Sequence, residues 1–111
     1  MIDTTNTDRN YLFGRLLAIY EYIAITVEDN DKRILVIRDK YIAHPRTTML
    51  KIESDILPDM YAKLKADTYN RLRDQIADIV SIMPEDGYTD EPLNSSYLLG
   101  YYLQRSACKS S

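Results

Sequence analysis

Two residues in this chain have the chemistry of nucleophile or metal ligand, His44 and Cys108, and each is the sole one of its kind. A Cys/His pair needs the imidazole within hydrogen-bond reach of the thiol, and nothing in the spacing of these two brings them together. Structural zinc needs several His or Cys ligands, so two residues do not make a site. Carboxylates are plentiful, seventeen in all, yet His44 is not preceded by the Glu-x-x that builds carboxylate-bridged metal centres on helices. The three glycines form no phosphate-cradling loop. The sequence therefore predicts no catalytic residue, no metal and no cofactor, and an enzyme is not expected.

What remains is charge and aromatic surface. The net charge is −3 with a pI near 5.1, which by itself argues against a dedicated nucleic-acid binder. Between Lys32 and Arg73, however, ten bases stand against five acids. Such an asymmetry points either to a basic face or to an ordinary solvated helical surface. For a basic face that tracks phosphates, the candidates by position are Arg38, Lys40, Arg46, Lys51, Lys63, Lys65, Arg71 and Arg73. There are also ten tyrosines against one phenylalanine and no tryptophan. They suit core and boundary packing or, alternatively, stacking on bases and burial in interfaces. Tyr41, Tyr61 and Tyr69, inside the basic stretch, are the stacking candidates.

The elements that must position these groups read as helices. Tyr11 to Val27 is apolar nearly all round, with Gly14, Glu21 and Glu28 recurring as one narrow stripe. A helix that greasy predicts the central post of a bundle, capped by Thr7 or Asp8. The cluster Glu28-Asp29-Asn30-Asp31 ends it. Lys32 to Ala43 carries apolar residues at helical spacing, although Ile34-Leu35-Val36-Ile37 also suits a short strand; with no partner strand in view, a helix is expected. His44-Pro45 marks a boundary. A third helix is expected from about Pro45 to Lys65, with Pro58 either kinking it or starting a fresh segment capped by Ser54 or Asp55. Asp67 or Thr68 caps the clearest amphipathic helix, which Pro84 stops, and a last apolar helix runs from about Asn94 to Ala107. Gly14 and Gly100 lie in the greasiest helices, where glycine costs up to about 1 kcal/mol. Close approach of the first and last helices at these glycines is the simplest reason.

At 111 residues, 45% apolar and 28% charged, the expectation is one all-α domain over 1–111, a compact bundle of about five helices. A single cysteine gives no internal disulfide. The N-terminus is polar and acidic, unlike a signal peptide, and the longest apolar run, Leu16 to Tyr20, is too short to span a bilayer. A cytoplasmic location is expected.

Two stretches carry a resemblance. Tyr11-Leu12-Phe13-Gly14-Arg15-Leu16-Leu17-Ala18, followed by Glu21, resembles the helix near the C-terminal end of the type I-C CRISPR large subunit. Leu99-Gly100-Tyr101-Tyr102-Leu103-Gln104-Arg105 is similar to that family's closing motif, with Leu103 where the family often has His. Asp39-Lys40-Tyr41-Ile42 and Pro45 resemble its basic-aromatic segment, so the matches bracket most of the chain in order. The C-terminal helical part of that subunit is also known as a separate product, the small subunit of the type I-C surveillance complex, and a chain opening with Met1 resembles that product. The resemblance implies a helical bundle that stacks along the complex. Its partners would be further copies of itself, the large subunit and the crRNA-bound backbone subunits. It would also help hold the single-stranded non-target DNA displaced when guide and target pair.

That exchange of one duplex for another is nearly balanced, so modest contacts to the freed strand can tip it. Arg15 and Arg105, flanked by apolar residues, read as structural anchors for carboxylates or carbonyls such as those near Glu21. Two readings stay open: a nucleic-acid-associated assembly subunit, and a helical protein–protein adaptor or self-associating module without nucleic-acid contact.

Overall fold

The computed structural model describes residues 2–27 and 32–110, and the acidic cluster expected over 28–31 lies outside them. Among the described residues there is no strand. The chain folds into α1 (Arg9–Val27), a 3-10 turn (Leu35–Ile37), α2 (Arg38–Ala43) and α3 (Pro45–Lys51). A π-turn (Ile52–Ile56) then leads into α4 (Leu57–Tyr61), followed by α5 (Ala66–Ile82), a second 3-10 turn (Glu85–Gly87) and α6 (Tyr97–Ser110). Counting α3, the π-turn and α4 as one bent rod gives the five-helix, all-α bundle expected.

The post is α1. Ten consecutive residues, Tyr11 to Tyr20, are buried, because the chain wraps it with α6 on one side and the bent rod and α5 on others. Asp8 is its cap: Oδ1 accepts from the Asn10 amide at 3.3 Å, meeting one of the donors a helix start leaves open. The stripe of Gly14 and Glu21 faces inward. A Cβ added at Gly14 would run into the Tyr97 carbonyl, and one at Gly100 into the Tyr11 carbonyl. The two helices therefore meet backbone to backbone, as the glycines predicted.

Tyr41 pins α2 to this post. It is fully buried, its hydroxyl donates to the Phe13 carbonyl at 2.6 Å, and its ring meets Phe13 and Tyr20 edge-on. The stretch before it is shorter in helix than expected. Ile34 is buried, while Leu35 and Val36 point outward in the 3-10 turn.

At Pro58 the helix neither breaks nor restarts. The Leu57 amide reaches back to the Ile52 carbonyl, five residues away, and this wider turn accommodates a ring that would clash with an α-helical carbonyl. No side-chain cap forms there. The rod ends at Tyr61 instead of Lys65, and α5 begins at Ala66 with Lys65 in the capping position, ahead of Asp67 and Thr68. The start of α6 also shifts: Asn94 Oδ1 accepts from the Ser96 amide at 2.9 Å, a local turn that delays the helix to Tyr97.

The connection from α5 to α6 is strapped down rather than loose. Arg9 donates Nε to the Gly87 carbonyl at 2.7 Å and Nη2 to those of Thr89 and Glu91 at 3.2 and 2.8 Å. Gly87 is required there, since a Cβ would stand 2.9 Å from the Arg9 Cβ. The strap also caps α3 from afar. The Thr47 amide donates to Asp90 Oδ1 at 2.7 Å, its hydroxyl donates to Oδ2, and these bonds hold the Asp90 carboxyl below the usual carboxylate range.

Candidate nucleic-acid interface

The α2–α3 corner gathers basic side chains in one place. His44 precedes Pro45 and takes a non-helical conformation (φ −140°, ψ 71°), which turns the chain sharply between the two short helices. Thr48 ties the corner, donating its hydroxyl to the Lys40 carbonyl at 3.1 Å. One turn of α2 and one of α3 then present Lys40, His44, Thr47 and Lys51 to an open groove of about 610 Å³, with Asp39, Ile37, Ala43 and Thr48 completing its wall. Lys40 and Lys51 are exposed. Asp39 inside the groove offsets one of the two lysines, and Asp90 beyond Thr47 has His44 and Arg46 as its charged neighbours.

The other candidate bases are distributed elsewhere. Arg46 lies over the Tyr88 ring at 5.4 Å, and Tyr88 in turn stacks on Phe13. Lys63 and Lys65 stand exposed on the turn into α5. On α5, Arg73 covers the Tyr69 ring at 5.1 Å and approaches Asp74 at 3.9 Å. Arg71 is half-buried, near enough to lower the Cys108 thiol slightly against the larger upward push of burial. Thus Lys40 and Lys51 share a groove, while Arg46, Lys63, Lys65, Arg71 and Arg73 belong to separate stretches of surface.

Arg38 faces a buried acid. Glu21, with no exposure, accepts from Arg38 Nε at 2.8 Å and from its Nη2, and also from the Tyr101 hydroxyl. Arg105 stands 3.7 Å from the same carboxylate and donates to the Tyr101 hydroxyl at 2.7 Å. The hydrogen bond to Glu21 raises the Arg38 guanidinium further above its ordinary range. Arg105 is thus the anchor to Glu21 that its apolar neighbours implied. Arg15 is also an anchor, but its partner is an amide: Nε donates to Gln104 Oε1 at 2.9 Å, and burial lowers its pKa.

The tyrosines need a correction. Tyr41 is a core residue with no face left for a base, and burial pushes its hydroxyl well above the usual range. Tyr61 and Tyr69 pack edge to face on each other at 4.8 Å. The exposed ring is Tyr102 on α6, 62% accessible, which the sequence reading missed. The doublet Tyr101-Tyr102 held the signal, because adjacent residues on a helix diverge by about 100° and cannot both be buried in one seam.

Among the described residues no group of three or more His, Cys, Asp or Glu side chains could hold a metal ion. No helix there is long and apolar enough to cross a membrane.

Fold and surface together define an all-α bundle with a basic corner and a sealed interior. Over residues 1–109 the chain matches the family described as CRISPR-associated protein (Cas_Csd1), and it belongs to that family. Neither a curated protein nor a solved structure is similar enough to match.

Proposed function

We propose that this chain is a non-catalytic small subunit of a type I-C CRISPR surveillance (Cascade) complex, which helps hold the displaced non-target DNA strand through its basic surface. The carrying observation is the α2–α3 groove, where Lys40 and Lys51 converge with His44 and Thr47. A groove of this kind suits phosphate oxygens, which call for positive charge and no base-edge readout. Family membership supports the setting. Arg46, Lys63, Lys65, Arg71 and Arg73, on separate stretches of surface, add positive charge outside the groove. Arg38 contributes through the seam with α6. The large subunit, the backbone subunits and further copies of the chain are the proposed neighbours, in the cytoplasm.

The test is target-DNA binding by the reconstituted complex with and without the chain, across salt concentrations. Omission should weaken binding, and Lys40→Ala with Lys51→Ala should reproduce part of the loss. The salt slope should flatten by up to about 0.7 per lost single-strand phosphate contact. Equal binding without the chain overturns the reading.

A second reading, a helical protein–protein adaptor without nucleic-acid contact, is favoured by the outer face of α6. Leu98, Leu99 and Tyr102 there are 38%, 57% and 62% exposed. Under it, omission would disrupt assembly and leave the salt slope unchanged.

A further inference from the structure

The closing helix carries a second cation-lined site, separate from the α2–α3 groove. At the edge of the α1–α6 seam a pocket of about 260 Å³ is lined by Arg38, Tyr97, Leu98, Tyr101, Tyr102 and Arg105. Both guanidinium groups bracket one ring: Arg38 lies 5.0 Å and Arg105 5.9 Å from the Tyr101 centroid. They are also fixed at their inner edges. Arg38 uses Nε and Nη2 for Glu21 and gives Nη2 to the Tyr101 hydroxyl at 2.6 Å, and Arg105 gives Nη1 to that hydroxyl.

A guanidinium has five N–H donors in a planar fork, so these bonds orient each fork without exhausting it. The side chains remain 41% and 34% exposed. Glu21 neutralises one of the two cations, which leaves the cluster with one net positive charge at the pocket. Beside it stands Tyr102, its ring edge-on to Tyr101 at 5.2 Å and open to solvent.

We infer that this pocket binds one nucleotide of a single strand, its phosphate on the Arg38 and Arg105 forks and its base on the Tyr102 ring. The ligand must pair an anion with a flat apolar group a few ångströms away, which describes a phosphate and its unstacked base. Glu21 makes the site ready-made, because forks already held in place lose little freedom on binding. The inference rests on the strand-holding reading above and gives it a second contact point.

The experiment is an NMR titration of the chain, carrying labelled backbone amides and ring-labelled tyrosine, with a ten-nucleotide oligo-dT and separately with dTMP. The oligonucleotide should shift the Tyr101 and Tyr102 ring signals and bind more tightly than dTMP. Tyr102→Ala should weaken binding by about 5- to 100-fold. Tyr102→Phe, which keeps the ring, and Leu99→Ala, which removes an exposed neighbour outside the pocket, should bind like the parent. Both positions are exposed, so the variants keep the fold.

Shifts confined to the Lys40 and Lys51 groove would overturn this site and leave the strand-holding reading standing. The absence of any shift would overturn this site, while the strand-holding reading stands or falls on the complex with and without the chain. Equal affinity for dTMP would reassign the pocket to free nucleotide. An equal loss in Leu99→Ala would reassign α6 to a protein contact.

Discussion

The α1–α6 seam and the hairpin formed by the bent rod and α5 hold the same molecule together by opposite means. In the seam the helices touch at glycine, and the carbonyls of Tyr11 and Tyr97 occupy the space where side chains would be. What lies between them is polar as well as apolar: Glu21, Tyr101, Arg15 and Gln104. In the core that the hairpin shares with α1, the contact is bulk. Leu72, Ile76 and Ile79 of α5 are buried in the same apolar cluster as Ile52, Ile56, Leu57 and Met60 of the rod, with the charges outside. A seam of close backbones tolerates no added atom, whereas a ridge of large side chains tolerates no lost one. The lesson for function is that the seam fixes Arg15, Arg38 and Arg105, while Lys40, Lys51, Lys63 and Lys65 stand exposed outside it.

The sharpest way to break this comparison is a truncation in the hairpin. Leu72→Ala should lower unfolding free energy in urea by about 2 to 5 kcal/mol through the cavity it leaves. A loss well under 1 kcal/mol would show that α5 does not rely on bulk. Gly14→Ala comes next. Alanine favours an isolated helix by up to about 1 kcal/mol, yet here it should destabilise by about 1 to 3 kcal/mol because a backbone must move; a stabilised variant would refute the close approach. Glu21→Gln should cost about 1 to 2 kcal/mol, because charged hydrogen bonds are lost while the half-exposed Arg38 and Arg105 turn to water.

The smallest effect belongs to Glu53, whose carboxylate accepts from the Tyr20 hydroxyl at 2.6 Å. Burial raises its pKa above the ordinary 4.5, and that hydrogen bond offsets part of the rise. The folded chain therefore holds this proton more tightly than the unfolded one. The resulting stabilisation is complete below 4.5 and is lost as pH rises through the folded-state value. Glu53→Gln keeps an acceptor for Tyr20 without the charge. Its melting temperature should match or slightly exceed the parent's at pH 7, and the gap should close on acidification; a gap that widens would reverse the sign.

The parts of this fold that could be read from sequence were those written in local spacing. The periodicities of α1 and α5 set their partners, and two glycines in apolar helices could only be explained by close approach. Arg105 near Glu21 followed from a charge in apolar company. What escaped were bonds from side chains to distant backbone or to other side chains. Arg9 to the carbonyls beyond Gly87, Asp90 to the start of α3, and Arg38 with Tyr101 on Glu21 depend on where the chain returns, which no periodicity records. Pro58 posed a choice between break and kink that only the wider turn resolved. Tyr41 lies among basic residues in sequence, and only the fold reveals that it points the other way.

The closest seam in the bundle joins the beginning of the chain to its end. During synthesis, α1 emerges with Leu12, Phe13, Leu16 and Leu17 uncovered and remains without α6 until Tyr97 and the residues after it follow. At about 5 to 20 residues per second that delay lasts several seconds. Through that interval the most apolar segment of the protein has α2, the bent rod and α5 to shelter it, but not α6. A nascent chain halted before Tyr97 should therefore be the species most dependent on chaperones.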